Sequence, residues 1–227
     1  MSAKPRLAKD VARQQGPGRF WIDHAVIVDD DLEWLASAER LTLWNVKLPV
    51  GFLACLPALW WLDIRGGSAE SIDHVADAAG LEYLNVNQVR GVSDLSAIAS
   101  LPKLRLLCLY GLARVTTAPS LATLSALRRI EVGQMKSLSS LGALLDAPGL
   151  DELLLVRRVS ITQADLGRIA AHPTLREFDW FAEDVPVKVW KPVLEMVKLP
   201  RARPMHADEW FDLHGRGGIA GVGVSDA

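Results

Sequence analysis

One spacing governs what this chain can fold into. Apolar residues occupy the first, fourth and sixth positions of Leu81-Glu82-Tyr83-Leu84-Asn85-Val86, and the same arrangement returns along most of the sequence. Leu59-Trp60-Trp61-Leu62-Asp63-Ile64 stands 22 residues earlier, and Leu104, Leu127, Leu150 and Leu175 open later copies at intervals of 23, 23, 23 and 25. Those copies read Leu104/Leu107/Leu109, Leu127/Ile130/Val132, Leu150/Leu153/Leu155 and Leu175/Phe178/Trp180. A partial copy, Leu41-Thr42-Leu43, has Ala38 in its first slot. Self-similarity at this period means a stack of identical units, each too small to bury its own apolar face.

The pattern resembles that of leucine-rich-repeat proteins from about Ala38 to Ala182. It is most similar to the short class of 22–23 residues found in internalins and phosphatase-regulating repeat proteins. A second apolar run after the strand, Val89, Val92, Leu95, Ile98 and Leu101 in one copy, continues as the family does. The resemblance implies an α/β solenoid. This is a right-handed superhelix with a parallel β-sheet on its concave face and short helices or turns on its convex face. It also implies a protein partner and no cofactor. One departure stands out. The asparagine that the family carries in the ninth slot is replaced by Val46, Gly67, Val89, Leu112, Met135 and Arg158. The buried turn must pair its backbone groups in another way, because an unpaired buried amide is costly. An irregular solenoid is the expected consequence.

Alternation along a strand assigns the faces. If the fourth and sixth residues enter the core, the third, fifth and seventh point out of it. The third-slot residues are Arg40, Trp61, Tyr83, Leu106, Arg129, Glu152 and Glu177; Asp63, Asn85, Glu131 and Asp179 are among those of the fifth, and Trp44, Arg65, Asn87 and Tyr110 among those of the seventh. Trp44, Trp61, Tyr83 and Tyr110 thus fall on adjoining rungs with Arg65 between them, a mixture enriched in protein-binding hot spots. Cross-strand stacking of aromatics would produce the same pattern for structural reasons. Glu131, Glu152, Glu177 and Asp179 make the other half acidic, to be neutralised either by Arg129 and Arg157 or by a basic partner. The expected partner-binding set is therefore Trp44, Trp61, Arg65, Tyr83, Asn85, Asn87, Tyr110, Glu131, Glu152 and Asp179.

The flanks read as caps. Residues 1–37 hold a polar tail, an alternating stretch from Phe20 to Val28 that makes a strand or hairpin over the first turn, and Asp29-Asp30-Asp31 before a short helix. The three carboxylates fit helix capping better than a cation site. Residues 38–182 are the repeats and 183–200 a helical cap, in which Pro192 must sit in the first turn or bend the helix. Residues 201–227, with a glycine-rich end, read as a flexible tail. The tail's His206, Glu209, Asp212 and His214 match no ligand spacing.

Composition excludes several classes of function. A net charge of −2 gives no general attraction to nucleic acid or to an anionic membrane. No apolar run reaches the roughly 18 residues that a membrane helix needs. The N-terminal basic residues lack an apolar run behind them, so a cytoplasmic protein is expected. Cys55 and Cys108 lie too far apart in the repeat for a disulfide and are too few for zinc. No nucleophile elbow, phosphate loop or zinc-protease motif is present, and no enzyme is expected. Two narrower functions fit the same face: an inhibitor or immunity-type protein that covers a toxin or enzyme, and an architectural subunit of a permanent complex.

Overall fold

The computed structural model describes residues 6–216. Nine strands form one sheet in sequence order: β1 (Arg13–Gly16), β2 (Arg19–Asp23), β3 (Arg40–Trp44), β4 (Trp61–Arg65), β5 (Tyr83–Asn87), β6 (Leu106–Tyr110), β7 (Arg129–Gly133), β8 (Glu152–Val156) and β9 (Glu177–Phe181). Among the described residues, only the β1–β2 pair is antiparallel. From β2 onwards every residue lies beside the same slot of the next copy: Leu62 against Leu84, Leu84 against Leu107, Leu107 against Ile130. This register follows from the period. A one-residue slip would turn every buried side chain outward. Leu41, Leu62, Leu84, Leu107, Ile130, Leu153 and Phe178 accordingly form one continuous buried column.

The N-terminal hairpin does more than cover the first turn. Its second strand, β2, pairs in parallel with β3, Phe20 beside Leu41 and Ile22 beside Leu43, and so adds a rung. Asp31 closes the 3-10 turn Asp29–Asp31 that follows: its carboxylate accepts the Val28 N–H at 2.8 Å and the Trp34 indole N–H at 2.9 Å.

Backbone pairing explains how the turns manage without the ninth-slot asparagine. In the eighth slot His24, Asn45, Gly66, Gln88, Gly111, Gln134 and Arg157 all adopt left-handed φ values of 49–68°. That conformation aims each N–H at the seventh-slot carbonyl of the next rung: His24 at Trp44, Asn45 at Arg65, Gln88 at Tyr110 and Arg157 at Phe181, each at 2.7–2.8 Å. At the other end of each strand one carbonyl accepts two N–H groups, as Trp60 does from Glu82 and Tyr83. The expected irregularity is absent from the parallel rungs β2 to β9, because these bonds run through the backbone and need no particular side chain.

The convex side carries short 3-10 turns at Phe52–Cys55, Asp73–Asp77, Ser96–Ser100 and Leu144–Asp146. The α-helices are α1 (Ala8–Val11), α2 (Leu32–Leu35), α3 (Gln163–Ala170), α4 (Val187–Val197) and α5 (Ala207–His214). Helix α4 buries Val193 and Val197, and Pro192 sits beyond its first turn, where it withholds one helical N–H. Among the described residues, no helix is long and apolar enough to cross a membrane.

His172 ties the Leu144–Asp146 turn to the segment ahead of β9 and gives stability a pH dependence. Its Nε2–H donates to the Leu145 carbonyl at 3.2 Å, while Nδ1 accepts the Leu175 N–H at 3.2 Å, so the fold uses the neutral ring. Burial, with Arg168 adding to it, holds its pKa below the ordinary histidine value, and burial does the same to His74. With both folded-state values depressed, the unfolded chain binds more protons on acidification. These groups contribute fully above about pH 6.5, and stability falls as pH drops below that value. Urea midpoints measured from pH 8 to pH 5 should decline below about pH 6.5, and His172→Gln should flatten the decline.

Candidate protein-binding face

Each outward column points where alternation puts it, yet the third-slot row is not open. Trp61, Tyr83, Leu106, Arg129 and Glu152 are buried. The cover is the chain's own C-terminal segment. After α4 the Pro200 carbonyl accepts the Phe178 N–H at 2.9 Å, which turns the backbone along β9 and onto the concave face. Arg201 pairs with Asp179, and the Arg203 carbonyl accepts Arg129 Nη2 at 2.9 Å. Helix α5 then lies over the rungs, with Asp208 paired to Arg40 and 3.6 Å from Arg19.

Two adjacent aromatics fix α5 in place. Trp210 and Phe211 join Trp60, Trp61, Tyr83 and Leu106 in a second apolar cluster, separate from the solenoid core. The Phe211 ring is 5.2 Å from Trp60 and 5.9 Å from Trp61, and Trp61 stacks 3.9 Å from Tyr83. Trp210 donates its indole N–H to Glu152 at 3.0 Å, and the His214 ring stacks on it at 4.4 Å. The flexible tail read from the sequence is therefore corrected for residues 201–216, because Trp210 and Phe211 find apolar partners on the concave face. The remainder of that tail lies outside the described residues. His206, Glu209, Asp212 and His214 form no group able to hold a metal among the described residues.

Of the acidic half, Glu131, Glu152 and Asp179 are paired internally. Arg129, fully buried, donates to Glu131 at 2.8 Å and binds Glu152; Arg157 instead reaches Glu183 at 3.6 Å. Burial works to lower the Arg129 pKa, but the two carboxylates outweigh it and hold the guanidinium charged. Arg65 grips Asp63 at 2.7–2.9 Å, and Asn85 donates to the same carboxylate at 2.7 Å. Trp61, Tyr83, Asn85, Glu152 and Asp179 thus each have partners within the chain.

Cys108 and Tyr83 are held in their protonated forms. Burial, reinforced by Glu131, pushes the Cys108 thiol well up, and burial does the same to the Tyr83 hydroxyl. The Cys108 sulfur lies 3.6 Å from a Glu131 oxygen, the reverse of an electropositive setting that would favour thiolate.

What stays open lies beside α5. Two clefts flank its first turn and share Tyr83, His206 and Ala207: one of about 230 Å³ reaching Asn87, Cys108, Tyr110 and Glu131, the other of about 180 Å³ reaching Arg19, Trp21 and Arg65. Trp44 is 41% exposed at the rim, 6.0 Å from Trp21, and the Arg65 guanidinium sits 5.5 Å from the Trp21 ring. A Cβ at Gly133 would run into the Tyr110 ring, so glycine there lets Tyr110 lie flat across the next rung. The structure thus keeps Trp44, Arg65, Asn87, Tyr110 and Glu131 on the accessible edge. It adds Trp21, Met205 and His206, which the repeat pattern did not single out. Trp21 was within reach, since Phe20 and Ile22 stand 21 residues before Leu41 and Leu43.

The repeat period and the in-register parallel sheet decide the architecture. It is a leucine-rich-repeat solenoid. No protein-family model and no curated protein matches the chain. Similar solved structures include a leucine-rich-repeat protein of Leptospira interrogans, 16% identical, with 68% of this chain and 51% of that one covered and a TM-score of 0.43. This chain therefore spans about half the length of that protein. An internalin of Listeria monocytogenes is 18% identical over 82% of this chain and 73% of its own, with a TM-score of 0.32. Internalin C2 of the same organism is 16% identical over 74% and 75%, with a TM-score of 0.45.

Proposed function

We propose that this solenoid is a non-enzymatic protein-binding module that takes its partner on the part of the concave face left open by its own C-terminus. The observation that carries this reading is the exposed Trp44, set beside Trp21 and next to Arg65, both of which line one of the two clefts. A large exposed aromatic next to a guanidinium, in a row that continues through half-buried Asn87 and Tyr110, is the composition that gives interfaces their energy. An inhibitor that uses an acidic surface has less support, because Glu131, Glu152 and Asp179 are each paired with an arginine of the same chain. Both cysteines are free thiols and Cys55 is exposed, which a reducing compartment such as the cytoplasm permits.

The test compares affinity capture by wild type, Trp44→Ala and the remote control Met196→Ala, whose side chain is exposed on α4. Trp44→Ala should weaken capture of one specific protein by about 2 kcal/mol, roughly 30-fold, with an unchanged melting temperature. Equal recovery by all three proteins would refute the open edge as the binding surface.

A further inference from the structure

We propose that the groove beneath α5 is a second binding site, one that takes a short acidic helix with adjacent aromatic residues from a partner protein, and that residues 207–214 occupy it until such a helix displaces them. The proposal goes beyond the open edge and does not depend on it.

The floor of this groove differs from the solenoid core. The core column is almost wholly aliphatic, whereas the floor combines Trp60, Trp61 and Tyr83 with Arg40, Arg129 and Glu152. A seal between two parts of one core needs no guanidinium groups, and burying them costs free energy. Four arginines face α5 or its approach: Arg19 and Arg40 on Asp208, Arg105 on the His214 carbonyl at 3.2 Å, and Arg129 on the Arg203 carbonyl. What this surface selects is acceptors and negative charge around an apolar pair. Ala207–His214 answers it with Asp208 on Arg19 and Arg40, just ahead of Trp210-Phe211.

The resident helix fills the site incompletely. Among the described residues, the buried side-chain donors with no acceptor are Arg40 Nε and Trp60 Nε1, and both residues belong to this contact. An unmet buried donor is expensive, so a helix that brings a carbonyl or carboxylate to these atoms binds better than the resident one. Nor does the sheet depend on α5. The ladders from β2 to β9 are complete without it, and among the described residues the one backbone bond from a strand to the crossing segment is made by Pro200, ahead of the helix. Residues 198–206 contain Pro200 and Pro204 and no helix, so α5 can lift away while α4 and the rungs stay in place.

The test uses the full-length chain and a labelled synthetic peptide of residues 201–216. In native-state hydrogen exchange, the amides of α5 should exchange through a local opening, much faster than those of β5. The peptide should bind Phe211→Ala at least about tenfold tighter than wild type, because the resident helix competes less in the variant. A peptide carrying Asp208→Asn should bind more weakly. Should Phe211→Ala fail to fold, Asp208→Ala loosens the same helix at a half-exposed ion pair. Exchange of α5 only together with β5, or peptide binding equal in wild type and variant, would overturn the proposal. Neither result depends on Trp44, so the two surfaces succeed or fail separately.

Discussion

Arg129→Ala should lower the unfolding free energy by about 3–5 kcal/mol, the cost of leaving buried carboxylates without their counter-charge. Arg129 has no exposed surface and makes three kinds of contact: Glu131 in its own strand, Glu152 in the next, and the Arg203 carbonyl of the crossing segment. One guanidinium therefore neutralises part of the acidic half and anchors the C-terminal cover. Removing it strands Glu152, which is 8% exposed and has Trp210 as its other close donor. The double variant Arg129→Met/Glu152→Gln should recover much of the loss, since it removes charge from both sides of the pair. Arg129→Lys should not, because a single ammonium cannot reach several acceptors in fixed directions. Urea denaturation of the four proteins gives the comparison. A loss below about 1 kcal/mol for Arg129→Ala would mean that water already reaches these carboxylates.

Most of the fold was legible because one period carries both the register and the direction of each side chain. Leu62, Leu84, Leu107 and Ile130 recur at 22–23 residues, and a stack that buries the same slot in each copy has only one register. Reading failed at the edges of that period. The rung of β2 hides behind Pro17, which stands where other copies have an aliphatic first residue. The left-handed column in the eighth slot was invisible because His24, Asn45, Gln88, Gln134 and Arg157 share a backbone conformation and no side-chain chemistry. Its work is done by N–H groups, which every one of these residues has.

The candidate site was legible in direction and not in exposure. Trp61 and Tyr83 do point to the concave side, since direction depends only on the strand. Whether they meet water depends on Phe211, well over a hundred residues further along the chain. The hint was Trp210-Phe211 itself, an aromatic pair inside a segment otherwise polar enough to pass for a tail. Of the charge pairs, Arg129 with Glu152 was within reach, because the two share a slot on adjacent rungs. Asp179 with Arg201 was not, because the turn after α4 that brings them together has no repeat to announce it.

Trp210→Ala and Phe178→Ala should separate two kinds of burial that look alike by exposure. Phe178 is 1% exposed in the solenoid core and Trp210 is 0% exposed beneath the C-terminal cover. Truncating a buried aromatic usually costs about 3–5 kcal/mol. For Phe178 the full amount should appear as a loss of global stability, lowering the melting temperature by roughly 10 °C in a domain of this size. Its neighbours belong to one in-register stack and cannot release the side chain without breaking rungs. For Trp210 the loss is capped at the free energy that closes α5, because the helix can instead leave the groove. The expected result is a smaller fall in melting temperature, together with red-shifted tryptophan emission and dye binding at newly exposed Trp60, Trp61 and Tyr83. Phe178→Ala, still folded, should show neither signal. If Trp210→Ala instead melted as early as Phe178→Ala, with no exposed-patch signal before the transition, α5 would be part of the solenoid's cooperative core, and no partner helix could take its place.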